Sequence, residues 1–130
     1  MRKNGKKWLA IVVLTALTLI LAAGSAWAVD YRPLVGRWQR TDGGYVIEIK
    51  RVATDGTMTA GYFNPRPINV SWAKASAFKG HLKVEVELRD TGYPGSSYTL
   101  LYDPDKDALL GLYYQAVQQR NFDVVFMRMK

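Results

Sequence analysis

Leu34-Val35-Gly36-Arg37-Trp38-Gln39-Arg40-Thr41 is the stretch whose reading decides the fold. It places a tryptophan just after a glycine on a short strand pattern, with Leu34, Gly36 and Trp38 on one face. The last strand pattern, Phe122-Asp123-Val124-Val125-Phe126-Met127-Arg128, puts Phe122, Val124, Phe126 and Arg128 on one face by its period of two. A tryptophan opening the first strand and an arginine closing the last look like the two ends of a small closed β-barrel.

Between them the chain reads as strand throughout. Leu82, Val84, Val86 and Leu88 alternate with Lys83, Glu85, Glu87 and Arg89, giving one apolar and one charged face. Further strands are expected over 34–41, 45–51, 57–63, 68–77, 98–103 and 108–116, eight in all. Residues 108–119 hold enough Leu and Ala for a helix, but Gly111, Tyr113 and Tyr114 sit poorly in a helix interior and favour strand. Asp42-Gly43-Gly44, Asp55-Gly56, Lys79-Gly80 and Asp103-Pro104-Asp105-Lys106-Asp107 supply turn chemistry, so neighbouring strands are expected to be antiparallel. Closing such a meander pairs the first strand with the last and removes the exposed edges; a Greek-key sandwich is the structural alternative.

Residues 1–28 read as a signal peptide. Arg2, Lys3, Lys6 and Lys7 precede the apolar run 8–23, and Ala26-Trp27-Ala28 has small residues where a signal peptidase reads, so cleavage after Ala28 is expected. An uncleaved anchor is the alternative, although the run is short of the roughly 20 apolar residues a spanning helix needs. On this reading residues 29–130 form one domain, located in the periplasm or secreted, which meets a membrane only through its leader. Setting aside the four leader cations lowers the formal charge from +7 to +3. That mild excess gives no warrant for nucleic-acid binding, which needs a clustered basic face with aromatic platforms. The chain has no cysteine, so its core alone must hold it together.

With these elements in place, Gly36-Arg37-Trp38, Asp55-Gly56 and Ala60-Gly61-Tyr62 resemble the opening of calycin barrels, the avidin and streptavidin group in particular; lipocalins share the first-strand Gly-x-Trp. The resemblance implies an all-β chain, an eight-stranded antiparallel up-and-down β-barrel (calycin-like), in which Arg128 packs over Trp38 beside Gly36 to close a structural floor. It also implies where biotin would be held, and there the match fails. Tyr62 falls at the family's tyrosine, but Arg40 stands where an asparagine is expected and Gly44 where a serine is expected. A buried urea would be left with unpaired polar groups costing about 1 to 3 kcal/mol each.

In a meander, loops alternate between barrel ends, so 41–44, 64–67, 90–97 and 117–121 share one end. That end carries Asn64, Arg66, Asp90, Tyr93, Ser96, Ser97, Gln118, Gln119 and Arg120, and binding residues commonly sit on loops held by a rigid scaffold. Tyr62, Asn64, Arg66, Tyr93 and Gln118 are the expected ligand-binding set. Tyr45, Tyr62, Trp72, Tyr98, Tyr102, Tyr113, Tyr114 and Phe122 lie on strands, either as core filling or as walls for a ligand.

No catalytic constellation is visible, and the expectation is a protein that is not an enzyme and needs no cofactor or metal. His81 is the single histidine, and Glu85 and Glu87 alternate with an apolar face beside Lys83 and Arg89. Asp103, Asp105 and Asp107 have calcium-loop spacing, but Pro104 intervenes and the later Gly and Glu ligands are missing. Asn69-Val70-Ser71 matches a glycosylation sequon in form only. Two classes remain: an exported binding module for a small apolar or amphipathic molecule, and a protein-interaction domain with a packed interior, such as an inhibitor or an envelope assembly factor. Val125, Met127 and Met129 on the outer face of the last strand favour an interface there, with an envelope protein or as a homo-oligomer.

Overall fold

The computed structural model describes residues 28–130, so the signal peptide expected over 1–28 lies outside the described residues, save Ala28. A 3-10 turn, Arg32–Leu34, leads into β1 (Gly36–Arg40), β2 (Val46–Val52), β3 (Met58–Phe63), β4 (Pro67–Ile68), β5 (Val70–Phe78), β6 (His81–Leu88), β7 (Ser97–Asp103), β8 (Ala108–Gln115) and β9 (Arg120–Arg128). All ladders are antiparallel, in the order β4-β3-β2-β1-β9-β8-β7-β6-β5. First and last strands pair through Trp38 and Arg128, making a nearly closed antiparallel barrel of the general calycin-like kind.

The strand count corrects the expectation of eight: there are nine. The segment read as one strand over 68–77 breaks at Asn69. Its backbone N and its Nδ2 both donate to the Asp90 carboxylate at 2.8 Å, and its carbonyl accepts from Arg89 N at 3.1 Å. Asn69 thus leaves the ladder with β3, and the chain changes partner there. Before it, Ile68 and Pro67 pair with Tyr62 and Phe63; after it, Val70 pairs with Leu88, with a bulge before Trp72. The wall closes again at the other end through the bridge between Thr57 and Lys74 and the bond from Ala75 N to Gly56 O at 2.7 Å.

Two reversals show how local chemistry sets the meander. Phe78 pairs with His81 across Lys79-Gly80, both at positive φ, the geometry of a type I′ hairpin. Asp103 to Ala108 and Gln115 to Arg120 are spanned by loops ending in left-handed Asp107 and Gln119.

Alternation along the strands sends Trp38, Ile47, Ile49, Tyr62, Val84, Val86, Leu88, Tyr98, Leu100, Leu109 and Phe126 inward, all essentially without solvent exposure. These side chains fill the barrel. Tyr98 alone touches Tyr62, Tyr113 and Phe126, with ring centroids 5.5, 4.5 and 5.2 Å away.

At one end Arg128 lies over Trp38, its Cζ 4.3 Å from the ring centroid, and Tyr102 meets the same indole edge-on at 6.0 Å. The guanidinium donates to Asp107 Oδ2 at 2.8 Å and Oδ1 at 3.1 Å, to Val35 O at 2.7 Å, and to Pro33 O. Trp38 Nε1 donates to Leu34 O at 3.0 Å. Gly36 makes this approach possible: with φ +145°, a Cβ there would lie 2.6 Å from Arg128 Nη1. The 3-10 turn supplies two of these carbonyls, Pro33 O and Leu34 O, and Val35, the residue after it, supplies the third, so this segment covers the floor. The turn takes Leu34, which pattern alone assigned to the first strand, because Pro33 fixes φ for a turn and has no N–H for a ladder.

The Arg128 guanidinium holds the Asp107 carboxyl below the usual carboxylate range. A carboxylate with a lowered folded-state pKa contributes stability that is complete above its unfolded value and is lost as pH falls through the folded one. Asp107→Asn should therefore cost about 1 kcal/mol at neutral pH, a modest figure because solvent screens this half-exposed pair. In thermal melts at stepped pH, the gap to the wild type should stay constant from neutrality to pH 5 or so and vanish at strongly acid pH.

Candidate functional site

The other end of the barrel carries a second inward arginine in a different setting. Arg40 follows Trp38 by two residues on β1, so the same alternation that buries the tryptophan points Arg40 inward; only 8% of it is exposed. Its Nε and Nη2 donate to the two Asp42 oxygens at 2.8 and 2.7 Å, and Nη1 donates to Tyr98 Oη at 3.0 Å. Tyr98 Oη in turn lies 2.7 Å from Tyr62 Oη. The guanidinium sits 4.1 Å over the Tyr45 ring and 5.5 Å from that of Tyr113. A relay from Asp42 through Arg40 and Tyr98 to Tyr62 thus crosses the top of the barrel, and every buried side-chain polar atom among the described residues has a partner.

Burial opposes the charge on Arg40, but the bonds to Asp42 and Tyr98 outweigh it and raise its pKa. Asp42 is lowered by the same contact. Burial pushes the Tyr98 phenol up to about 12, and it raises Tyr62 and Tyr113 as well. All three tyrosines are therefore neutral hydrogen-bonding groups at physiological pH.

Above this layer lies an open bowl of about 520 Å³, lined by Arg40, Asp42, Tyr45, Gly92, Tyr93, Tyr113, Gln115, Gln118 and Phe122. A somewhat larger trough of about 650 Å³ runs along the outer wall near the floor, between Leu82, Leu101 and Leu110. Two of its polar groups are engaged locally, Asp103 accepting from Asp105 N at 3.0 Å and Tyr102 Oη donating to Asp107 at 2.9 Å, while the His81 and Asp105 side chains are the other polar groups of its lining. The bowl is the better candidate, because it combines rings with polar groups that converge on one space.

The sequence-derived ligand residues separate into three groups. Tyr93 and Gln118 line the bowl. Asn64 stands behind it, its Nδ2 donating to Tyr93 Oη at 2.6 Å, while Tyr62 lies beneath it in the core. Arg66 is at the exposed tip of the β3–β4 turn and is no part of the lining. Of the other loop residues, Asp90 holds Asn69; fully buried Ser96 accepts from Ala116 N at 3.0 Å, tying two rim loops together. Arg120 lies over the Phe122 ring, 5.1 Å from its centroid, at the edge of the bowl.

Arg40, Tyr45, Tyr113, Gln115 and Phe122 are the lining that loop position alone misses, and Asp42 lies in a loop at this end but is not in the expected set. The available signal was strand phase: Arg40, Tyr113 and Phe122 share faces with Trp38, Leu109 and Phe126. At the opposite end two acids of the triplet are spent on the fold, Asp103 on its own turn and Asp107 on Arg128.

The chain matches no protein-family model, no curated protein and no solved structure. The site must be read from its own chemistry.

Proposed function

We propose that this chain is a non-enzymatic binding module that holds a small amphipathic molecule in the bowl at the loop-bearing end of its barrel. The observation that carries this reading is the contrast between its two inward arginines. Arg128 donates four hydrogen bonds, two of them to the carbonyls of Pro33 and Val35 and two to Asp107, and it closes the floor with 30% of its side chain exposed. Arg40 donates three, and above it is an open bowl with four aromatic side chains at its wall. Since Trp38, Tyr62, Tyr98 and Phe126 fill the space below, a ligand rests on the rim layer and does not enter the barrel.

The test is native mass spectrometry of protein purified from its own host, wild type against Tyr93→Ala. Tyr93 is on a loop and only half-buried, so the variant should fold. A molecule retained by the wild type and reduced at least tenfold in the variant supports the reading; a bare polypeptide mass in every preparation overturns it.

A protein-interaction domain is the second reading, favoured by the outer surface of β8 and β9. There Leu112, Tyr114 and Met127 are 36 to 44% exposed, and Leu110 pairs with Val125 and Leu101 on the same face. The same spectra report a second copy or an envelope protein on this strip by mass. Placement in the periplasm or outside the cell is also part of the proposal and rests on residues 1–28; fractionation of the host with an antibody to the barrel tests it.

A further inference from the structure

Resting on the binding-module reading, we infer that the bowl is a saccharide site, built for a hydroxylated ring. Three observations converge on this chemistry: the state of the ring faces, the mixture of free donors and acceptors, and the shallow depth.

The aromatic walls are not equivalent. Tyr113 is stacked on Tyr98 with centroids 4.5 Å apart and planes 24° apart, and Arg40 covers Tyr45 at 4.1 Å. Those faces are in use. Tyr93 and Phe122 remain, Tyr93 meeting Tyr62 edge-on and Phe122 lying under the exposed Arg120, which is farther from its ring, at 5.1 Å, than Arg40 is from Tyr45. A flat aromatic ligand gains most between two parallel rings, which the bowl does not offer. A pyranose needs one ring face for its C–H patch and turns its hydroxyls to the sides.

The sides supply both halves of what a hydroxyl wants, since each hydroxyl donates and accepts. Arg40 uses three of its N–H groups, leaving two, and each Asp42 oxygen keeps lone pairs beyond its arginine bond. Gln115 Oε1 accepts from Gln118 N at 2.6 Å, so its amide nitrogen is free to donate. The Gln118 side chain is exposed and offers a donor and an acceptor together. A fatty acid would satisfy one of these groups and leave the rest facing methylenes, at about 1 to 3 kcal/mol for each polar group it desolvates. It would also need depth, and the filled interior gives none.

Neutral and acidic sugars share the hydroxylated ring, and Arg120 separates them. It has no ion pair among the described residues and stands at the lip of the bowl.

The experiment is a glycan array of neutral and uronic-acid oligosaccharides, followed by titration calorimetry of each hit, with palmitate and adenosine as the apolar and flat-aromatic controls. Binding of at least one saccharide class is expected, together with at least tenfold weakening in Phe122→Leu, which keeps apolar volume but removes the ring face, and in Gln118→Ala, which touches only the exposed rim. Loss on Arg120→Gln with steep salt dependence assigns an acidic sugar; indifference to both assigns a neutral one. An array without signal, while the native protein retains a molecule of another class, overturns the saccharide assignment and leaves the binding module standing. No signal together with a bare polypeptide mass overturns both.

Discussion

Trp38→Ala is expected to lower the unfolding free energy by about 3 to 5 kcal/mol, the range for truncating a large buried aromatic. The indole is fully buried, and three partners are built on it: Arg128 above its face, Tyr102 against its edge, and Leu34 O receiving its N–H. The variant removes all three contacts but not Arg128's bonds to Asp107, Pro33 and Val35. The guanidinium therefore stays in place above a void and cannot move in to fill it. Trp38→Phe is the informative companion. It keeps a ring under the cation but orphans Leu34 O, so its cost should be clearly smaller. Urea unfolding should show the loss as a lower midpoint with an unchanged slope. A Trp38→Ala midpoint within about 0.3 M of the wild type, less than roughly 1 kcal/mol at urea slopes of about 1 to 3 kcal/mol per M, would mean that the floor is not organised around this residue.

Gly56→Ala should cost about 2 to 4 kcal/mol, from left-handed strain and steric overlap together. Gly56 has φ +91°, and a Cβ there would stand 2.0 Å from the Ala75 carbonyl oxygen. The position matters because Gly56 O receives Ala75 N beside the Thr57–Lys74 bridge, where the barrel wall closes below the break at Asn69. Pushing these backbones apart reopens that seam. Gly80→Ala is the control, since Gly80 has φ +81° but open space around its Cβ. It carries the strain without the overlap, and the difference between the variants isolates the closure. Amide exchange should accelerate at Ala75 in Gly56→Ala more than at Leu100 in the centre of the sheet. Equal effects from the two alanines would show that the seam tolerates separation.

The site was legible in the sequence only where loop position decides it. Tyr93 and Gln118 are at the loop-bearing end because a meander alternates its connections, and nothing more was needed to place them there. Arg66 lies outside the bowl's lining because a loop's end of the barrel is not its direction: the β3–β4 turn is closed by Asn64 N on Arg66 O, which leaves the arginine at the tip. Tyr62 lies too deep, its hydroxyl taken by Tyr98. Arg40 was legible as a departure from the biotin pattern but not as the base of a bowl, because its partners Tyr98 and Tyr113 come from strands remote in sequence.

By itself the sequence determined the antiparallel all-β chain and the inward faces of β1, β6 and β9, because period-two alternation and turn chemistry are local, but not the direction of Trp72 and Tyr114, which are exposed. Only the tertiary structure decided that there are nine strands, since Asn69 leaves the ladder for a carboxylate 21 residues away. It alone decided that the interior is filled and that one arginine closes the floor through four hydrogen bonds while the other borders a bowl. Those outcomes depend on which side chains meet across the barrel, and contact between strands distant in the chain is not written in the period of any one of them.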